Sequence, residues 1–297
     1  MDNQPLISSN FALSFSKTHF FMKQLGLIGY PLGHSFSKKY FTEKFDNQGL
    51  SAEWAYELFP IDNIEKLPKI LTCPDASGRG SKNRLVGLNV TIPYKTAVMA
   101  YLDAIDPSAA AIGAVNCIKI SWTHDDKTYN NKTYNNKTHN YKTPHLTGYN
   151  TDVIGFEKSV LNLLGGSFPE GLQALILGTG GAAKAAAFTF RQHNIPFKYV
   201  SRTRADGQLS YDDLDKNALQ THRLIVNSTP LGMAPNTEGV PPLPFQFIDN
   251  QHFIFDMIYN PLQTRLMTLA EERGAKAVNG LDMLIEQAEQ GWAIWQG

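Results

Sequence analysis

The sequence predicts an α/β protein with two domains, the second of which is built on a doubly wound parallel sheet. Short apolar runs rich in β-branched residues alternate with helix-like segments along the chain. This alternation favours a mostly parallel sheet covered by helices. A chain of 297 residues accommodates two ordinary domains, and a hydrophobic content of 42% supplies enough apolar material for their cores.

Three strands are predicted in the first half of the chain, at residues 24–30, 87–93 and 114–120. The second of them, GLNVTIP, is expected to end at Pro93, because proline has no amide proton and fixes its own φ. Lys95 follows two positions later. We therefore expect its ammonium group to stand at a rigid corner of the backbone.

The second half of the chain repeats a unit of one strand and one helix. Strands are predicted at 174–178, 197–201, 224–229 and 253–258, and helices at 182–193 and 264–274. Consecutive units of this kind are typical of a doubly wound sheet.

The domain boundaries follow from these elements. Residues 22–152 are predicted to form the first domain and residues 153–280 the second, with residues 281–297 returning to the first domain as a helix. Residues 1–21 are expected to be a disordered extension. Residues 123–146 contain a five-residue repeat of Lys, Thr, Tyr and Asn without apolar periodicity, so we expect a loop insertion there.

Charge and cysteine content limit the class of function. The 27 basic and 27 acidic residues balance, whereas nucleic acids and membrane surfaces favour a basic excess in the proteins that bind them. Two cysteines provide neither a disulfide framework nor a metal cluster, so we expect a reducing compartment and no metal site. With no bilayer-length apolar run and no secretory signal, the predicted location is the cytoplasm.

A glycine-rich turn, GTGGAA, joins the predicted strand 174–178 to an alanine-rich helix. It has the G-x-G-x-x-A form of the dinucleotide fingerprint, whose glycines let the backbone approach a pyrophosphate at the helix N-terminus. The order of strand, turn and helix favours a dinucleotide site in a Rossmann-type domain over a plain turn. The predicted cofactor contacts in this turn are Gly178, Thr179, Gly180, Gly181, Ala182 and Ala183.

The end of the next predicted strand indicates which dinucleotide binds. Proteins selective for NAD usually carry an acidic residue there, but this chain has Ser201, Arg202 and Thr203. A guanidinium group and hydroxyls bind a 2′-phosphate through charge-assisted hydrogen bonds, whereas a carboxylate repels it. NADP is therefore the predicted cofactor. A solvated loop charge is a reasonable interpretation of Arg204 and a poor one of Arg202.

Three polar corners of the first half offer ligands for a small polar substrate. The candidates in these corners are Ser35, Ser37, Asn89, Thr91, Lys95, Asn150, Thr151 and Asp152. Ser35 and Ser37 suit a carboxylate, but such a pair is also typical of a helix N-cap. An alternative role for Asp152 is to cap the following helix. An alternative for Lys95 is a solvated surface residue, which is the usual role of a single lysine.

Taken together, the motifs of this chain resemble the shikimate dehydrogenase family from about Lys23 to the C-terminus. The resemblance rests, in the family's order, on GYPLGHSFS, NVTIPYK, GAVN, GYNTDVIG, GTGGAAKA, NSTPLGM, DMIYNP and NGLDMLIEQA. It implies reduction of 3-dehydroshikimate to shikimate with NADPH, in a cleft between a substrate domain and a nucleotide domain. We expect a monomer or a homodimer with small molecules as its only partners.

Further residue roles come from the resemblance alone. It implies that Ser35 and Ser37 hold the substrate carboxylate, that Asn116 contacts the ring hydroxyls with Lys95 and Asp152, and that Arg202 contacts the adenosine phosphate. The other positions that it assigns to the substrate are Thr91, Tyr259 and Gln287, and those assigned to the cofactor are Thr229, Met257 and Gly280.

The expected chemistry gives Lys95 its role. Hydride transfer to a ketone creates negative charge on the oxygen, and a proton must arrive there. A lysine at a proline corner, oriented by a carboxylate, can donate that proton and remove it in the reverse direction. We therefore predict Lys95 as the acid/base and Asp152 as the group that orients it. Asp282 and Glu286 are expected to face solvent without a partner.

Three alternatives remain at this stage. The first is a quinate/shikimate dehydrogenase that uses NAD as well as NADP. The second is a non-catalytic protein that senses NADP(H), against which the intact pair of Lys95 and Asp152 argues. The third is an interaction protein that acts through the repeat loop, although its low complexity gives no sign of a partner.

Overall fold

The computed structural model describes residues 22–33, 35–71, 83–122 and 144–297. The predicted N-terminal extension and most of the predicted loop insertion lie outside these ranges. The loop prediction for 123–146 is wrong at its end, because residues 145 and 146 belong to a strand. The described residues form two six-stranded sheets with helices on both faces, so the predicted α/β class is confirmed. No helix in these ranges combines the length and the hydropathy that crossing a bilayer requires.

The first sheet is mixed. Its strands are β1 (Met22–Gly29), β2 (Trp54–Pro60), β3 (Asn83–Val90), β4 (Ala104–Ile105), β5 (Cys117–Ser121) and β6 (His145–Tyr149). They lie in the order β2-β1-β3-β5-β6-β4, with β1 parallel to β2 and β3, and β5 antiparallel to β3 and β6. The helices of this half are α1 (Phe36–Asn47), α2 (Leu67–Leu71) and α3 (Pro107–Ile112).

The second sheet is parallel throughout. Its strands are β7 (Ala174–Leu177), β8 (Phe197–Ser201), β9 (Gln208–Ser210), β10 (Leu224–Asn227), β11 (Phe253–Asp256) and β12 (Lys276–Val278). Their order, β12-β11-β10-β7-β8-β9, runs outward from β7 in both directions, as in a doubly wound sheet. The remaining helices are α4 (Asp152–Leu164), α5 (Gly181–Gln192), α6 (Lys216–Thr221), α7 (Arg265–Glu271) and α8 (Leu281–Gln296).

Both faces of the second sheet are buried. Ile176 and Val226 pack on one face against Phe156 of α4, and Leu175 and Ile225 pack on the other face in a separate cluster. Successive side chains of a strand point to opposite faces, so burial on both sides requires the unbroken apolar runs that the sequence shows here.

The C-terminal helix α8 covers the first sheet although it follows the second sheet in the chain. Its Trp292 and Trp295 pack against Phe41 of α1 in the core of the first half, and the Trp295 indole N–H donates to the Ile118 carbonyl at 3.0 Å. A Cβ on Gly87 would lie 2.3 Å from the Trp295 ring nitrogen, so glycine makes room for the ring. Residues of α8 thus pack on the first sheet, and the division of the chain into domains stays a prediction.

Three predicted strands end at least two residues earlier than expected. The strands predicted at 224–229 and 253–258 end at Asn227 and Asp256. The prediction for 87–93 placed the end at Pro93, but β3 ends at Val90. The Tyr94 amide donates to the Thr91 carbonyl at 2.9 Å, so the chain already turns at Thr91. The Tyr94 hydroxyl donates to the Ile61 carbonyl at 2.7 Å and fixes the turn to the body of the first half.

Candidate active site

A pocket of about 230 Å³ lies at the carboxyl ends of β1 and β3, between the first half of the chain and the loops of the second. Its polar walls come from the start of α1, the turn after β3, the start of α4 and the middle of α8. Nine of the residues predicted to act on a substrate line it: Ser35, Ser37, Asn89, Thr91, Lys95, Asn116, Asp152, Tyr259 and Gln287. The candidates Asn150 and Thr151 do not line it and are buried behind its wall.

An ion pair between Lys95 and Asp152 occupies one end of this pocket. The Lys95 Nζ lies 2.6 Å from the Asp152 Oδ2, and the two side chains are 19% and 8% exposed. The Lys95 backbone carbonyl accepts a hydrogen bond from the Val115 backbone amide at 2.7 Å. This bond fixes the backbone at Lys95, next to the turn at Thr91. Limited exposure strengthens the pairing, because water screens the two charges less than at an open surface.

The second oxygen of Asp152 is also held. The Asn116 side-chain amide donates to the Asp152 Oδ1 at 2.8 Å. The backbone of Asp152 is fixed too, because its N–H donates to the Asn150 Oδ1 at 3.1 Å. Thr151, not Asp152, is the N-cap of α4. The alternative in which Asp152 only caps the helix is therefore wrong, because its carboxylate faces Lys95 and Asn116.

Gln287 connects α8 to this cluster. Its Oε1 lies 3.4 Å from the Thr151 hydroxyl, and its Nε2 donates to the Leu284 carbonyl at 3.0 Å. The Thr151 amide in turn donates to the Asn116 Oδ1 at 2.7 Å. The returning helix thus contributes a polar group to the floor of the pocket.

The opposite end of the pocket is formed by Ser35 and Ser37 at the start of α1. Ser35 is the N-cap of this helix, and its hydroxyl accepts from the Lys38 amide at 3.3 Å. Ser37 is buried in the first turn. The cap interpretation is therefore confirmed for Ser35. The binding of a carboxylate by the two serines stays a prediction, which an amide-rich helix N-terminus favours.

Tyr56 is a residue of this site that the sequence did not reveal. It is buried on β2, and its hydroxyl donates to the Asn89 Oδ1 at 2.7 Å. Burial raises the pKa of the Tyr56 phenol, and this effect outweighs a hydrogen bond with Ser37 that acts in the opposite direction. Tyr56 therefore stays protonated and joins Asn89 to Ser37. The only signal in the sequence is the alternation of WAYELFP, which places Trp54 and Tyr56 on one face.

The glycine turn before α5 has the shape that a pyrophosphate requires. Gly178 has a φ of +98°, in the left-handed region that favours glycine. A Cβ added to Gly180 would meet open space, and Gly180 is the N-cap of α5 without a side-chain cap. The amides of the first turn are thus available to an anion, and these residues fit the predicted dinucleotide.

The other predicted cofactor contacts lie at the same edge of the second sheet. Ser201 ends β8, followed by exposed Arg202 and Thr203, and Met257 and Gly280 follow β11 and β12. Arg204 lies 3.5 Å from the Asp213 carboxylate. This ion pair favours the interpretation of Arg204 as a surface charge.

The two groups of predicted residues meet at Lys95. A Cβ on Gly181 would lie 3.4 Å from the Lys95 Cδ, so the lysine side chain lies against the first turn of α5. The predicted acid/base thus stands between the polar pocket and the glycine turn.

The expectation for two acidic residues of α8 is partly wrong. Asp282 is exposed, as expected. Glu286 has a partner, because its carboxylate lies 2.6 Å from the Lys158 ammonium on α4.

Known proteins are similar to this chain over most of its length. The family model for the shikimate dehydrogenase substrate binding domain matches residues 27–118. The chain is 34% identical to a shikimate dehydrogenase (NADP(+)) of Desulforamulus reducens, over 92% of this chain and 89% of the relative. A shikimate dehydrogenase (NADP(+)) of Methanocaldococcus jannaschii is also 34% identical, over 93% of this chain and 92% of the relative.

Solved structures extend the similarity to the whole fold. The shikimate 5-dehydrogenase of Thermus thermophilus, in complex with NADP(H) and shikimate, superposes with a TM-score of 0.71 at 28% identity, covering 93% of this chain and 94% of that one. The Listeria monocytogenes enzyme, in complex with shikimate and NAD, gives a TM-score of 0.69 at 25% identity, covering 93% and 92%.

Proposed function

This chain belongs to the shikimate dehydrogenase family, and we propose that it interconverts 3-dehydroshikimate and shikimate with NADP(H). The observation that carries the proposal is the ion pair of Lys95 and Asp152, which lies in a polar pocket and against the first turn of α5. A proton donor and a dinucleotide turn in contact are what the reduction of a ketone requires.

The pocket has two chemically different ends, and the substrate has two as well. Ser35, Ser37 and the N-terminus of α1 suit the carboxylate, because hydroxyls, amides and the helix dipole all favour an anion. Asn116 and Gln287 at the other end offer amide groups to the ring hydroxyls. The carbonyl to be reduced then lies beside Lys95.

NADPH supplies the hydride when it is bound. Lys95 donates a proton from its Nζ to the oxygen of the substrate carbonyl as charge develops there, and it removes the hydroxyl proton in the reverse direction. Asp152 keeps the ammonium group aimed at this oxygen through its Oδ2. Asn116 holds the Oδ1, so the carboxylate cannot rotate away from the lysine.

NADP is preferred to NAD in this proposal because of Arg202. The end of β8 carries exposed Arg202 and Thr203 and lacks the acidic residue that binds the ribose hydroxyls of NAD. The cytoplasmic location and the monomeric or homodimeric state remain predictions from the sequence.

The test is the initial rate of cofactor reduction for four pairings, shikimate or quinate with NADP or NAD. We expect the pairing of shikimate with NADP to give the highest kcat/KM. Comparable rates with quinate and NAD would instead indicate a broad quinate/shikimate dehydrogenase. No turnover in any pairing, with NADP still bound, would contradict the proposal and favour a non-catalytic NADP(H) sensor.

A further inference from the structure

A buried acid, Asp256, ends β11 at the edge of the second sheet that faces the pocket, and the proposed reaction does not use it. Its side chain is fully buried. Its Oδ1 accepts from the Asn227 side chain at 2.9 Å and from the Ile258 amide at 3.1 Å, and its Oδ2 accepts from the Thr264 hydroxyl at 2.7 Å. A buried carboxylate is costly unless it is hydrogen-bonded, so these three donors explain how it is tolerated.

The first donor leads to the loop after β10. Asn227 is paired with Asp256 across the two strands, and its amide nitrogen donates to the acid. This leaves the Asn227 Oδ1 to accept from the Thr229 amide at 3.0 Å and from the Thr229 hydroxyl at 2.7 Å. Asp256 therefore fixes the orientation of Asn227, and Asn227 fixes Thr229.

The other two donors close the loop after β11. The Ile258 amide lies at its beginning and the Thr264 hydroxyl at its end, so one carboxylate binds both ends of residues 257–264. This loop carries Tyr259, which lines the pocket and contacts the Phe36 ring of α1 edge-on, with 5.7 Å between ring centroids.

The same loop contacts the beginning of α8. The Gly280 amide donates to the Ile258 carbonyl at 2.9 Å, and a Cβ on Gly280 would lie 2.3 Å from the Met257 carbonyl oxygen. Glycine thus permits direct contact between the loop backbone and the helix that carries Gln287. The position of Gln287 in the pocket therefore depends on the loop that Asp256 holds.

We propose that Asp256 is a positioning residue, which fixes the loops after β10 and β11 and the beginning of α8 so that Thr229, Tyr259 and Gln287 face the cleft. The inference rests on the proposed function, because it assigns these three residues to the cofactor and substrate. Parallel sheets bind their ligands at the carboxyl ends of the strands, which is where Asp256 lies.

The test compares Asp256→Asn and Thr264→Val with Asp249→Asn as a matched control. Asp249 precedes β11 at the opposite edge of the sheet, where its carboxylate lies 3.1 Å from Arg223. We would measure kcat and KM for shikimate, the Kd of adenosine 2′,5′-bisphosphate and the Tm of each protein. The bisphosphate reports only the adenosine end of the cofactor site.

Asp256→Asn has one acceptor oxygen in place of two and cannot satisfy all three donors. We expect kcat/KM for shikimate to fall about 10- to 100-fold, as for a misplaced contact near reacting groups. The Kd of adenosine 2′,5′-bisphosphate should stay within about twofold, which is the range of a site not touched by the substitution. Thr264→Val removes one donor to Asp256 and the cap of α7, where the Thr264 hydroxyl accepts from the Met267 amide at 3.3 Å. We expect kcat/KM to fall about 2- to 10-fold and Tm to fall as well. Asp249→Asn should lower Tm and leave kcat/KM unchanged.

A purely structural role gives a different pattern. If Asp256→Asn lowers Tm but keeps the wild-type kcat and KM, the inference is wrong. If that variant does not fold, Thr264→Val decides, and a wild-type kcat/KM in that protein also overturns the inference.

If the wild type does not oxidise shikimate, the proposed function is wrong, but the positioning role of Asp256 can still be tested. NADPH binding is then the measurement that tests it. Weaker NADPH binding by Asp256→Asn, with unchanged bisphosphate binding, then supports the positioning role. Unchanged binding of both ligands, or absence of NADPH binding in the wild type, contradicts it.

Discussion

Asp152 and Asp256 are both buried carboxylates, but they are held by different partners. Asp152 lies 2.6 Å from an ammonium group, whereas Asp256 is bound by three neutral donors, among them the Thr264 hydroxyl at 2.7 Å. The first arrangement places a charge beside the pocket, and the second joins two loops. Under the proposed roles, burial alone does not distinguish the acid that orients a proton donor from the acid that positions loops, and the charge of the partner is what differs between them.

The largest effect expected from this contrast is that of Asp152→Asn. The amide keeps the shape of the carboxylate but removes the charge that orients the Lys95 ammonium. We expect kcat to fall about 10²- to 10⁴-fold, the usual contribution of a positioned acid/base. Steady-state kinetics with shikimate and NADP measures this, and a decrease no larger than that of Asp256→Asn would remove the distinction between the two acids.

The next effect compares two neighbouring arginines, Arg202 and Arg204, by the partners of their side chains. Arg204 already has an acidic partner at 3.5 Å, and Arg202 is exposed at the end of β8. We expect Arg202→Ala to raise KM for NADP about 10- to 100-fold, which corresponds to the loss of roughly 1.5–3 kcal/mol of charge-assisted hydrogen bonding. Arg204→Ala is the control and should change this KM little. An equal effect of both substitutions would show that only the summed charge matters.

The smallest effect concerns stability and pH. Burial raises the pKa of Asp256 above 3.8, and its three hydrogen bonds only partly oppose this. Its contribution to stability is therefore complete below pH 3.8 and is lost as pH rises through the pKa of the folded state. The free energy of unfolding of the wild type, relative to Asp256→Asn, should fall across this window in urea titrations.

Glu289 on α8 should show the opposite dependence of stability on pH. Burial would raise the pKa of its carboxyl, but hydrogen bonds from Lys44 and Tyr40 outweigh burial and lower it below 4.5. Its contribution is complete above pH 4.5 and is lost as pH falls through the lowered pKa. Because Glu289 is partly exposed, Glu289→Gln should lose less than about 1 kcal/mol at neutral pH and nothing at strongly acidic pH. The same sign of pH dependence in both variants would contradict this comparison.

The second sheet could be predicted from the sequence more completely than the first. Strands buried on both faces need continuous apolar runs, and β7, β8, β10 and β11 were found from such runs. The short strands β4, β9 and β12 were missed because two or three residues carry no periodicity. The strand β2 was missed although WAYELFP alternates, and its aromatic side chains pack against the neighbouring helix α1 and the distant helix α8. The strand β6 was missed because its first two residues fall in the predicted loop insertion.

The site shows the same limit. Residues in polar corners next to glycine or proline, such as Lys95 and Ser35, could be recognised because local chemistry singles them out. Tyr56 could not, because its contact with Asn89 depends on the pairing of β1 with β2 and β3. Asp256 was visible in a motif, but its burial and its three donors depend on the register of β10 and β11.

The measurement that tests the central claim most directly is the rate of shikimate oxidation by Lys95→Ala with saturating NADP. Lys158→Ala is the matched control, because Lys158 also pairs with an acid but lies 54% exposed outside the pocket. We expect Lys95→Ala to lose about 10²- to 10⁴-fold in kcat with NADP still bound, and added alkylamines to restore part of the rate. A kcat for Lys95→Ala equal to that of Lys158→Ala, at unchanged pH, would contradict the account of Lys95 as the acid/base.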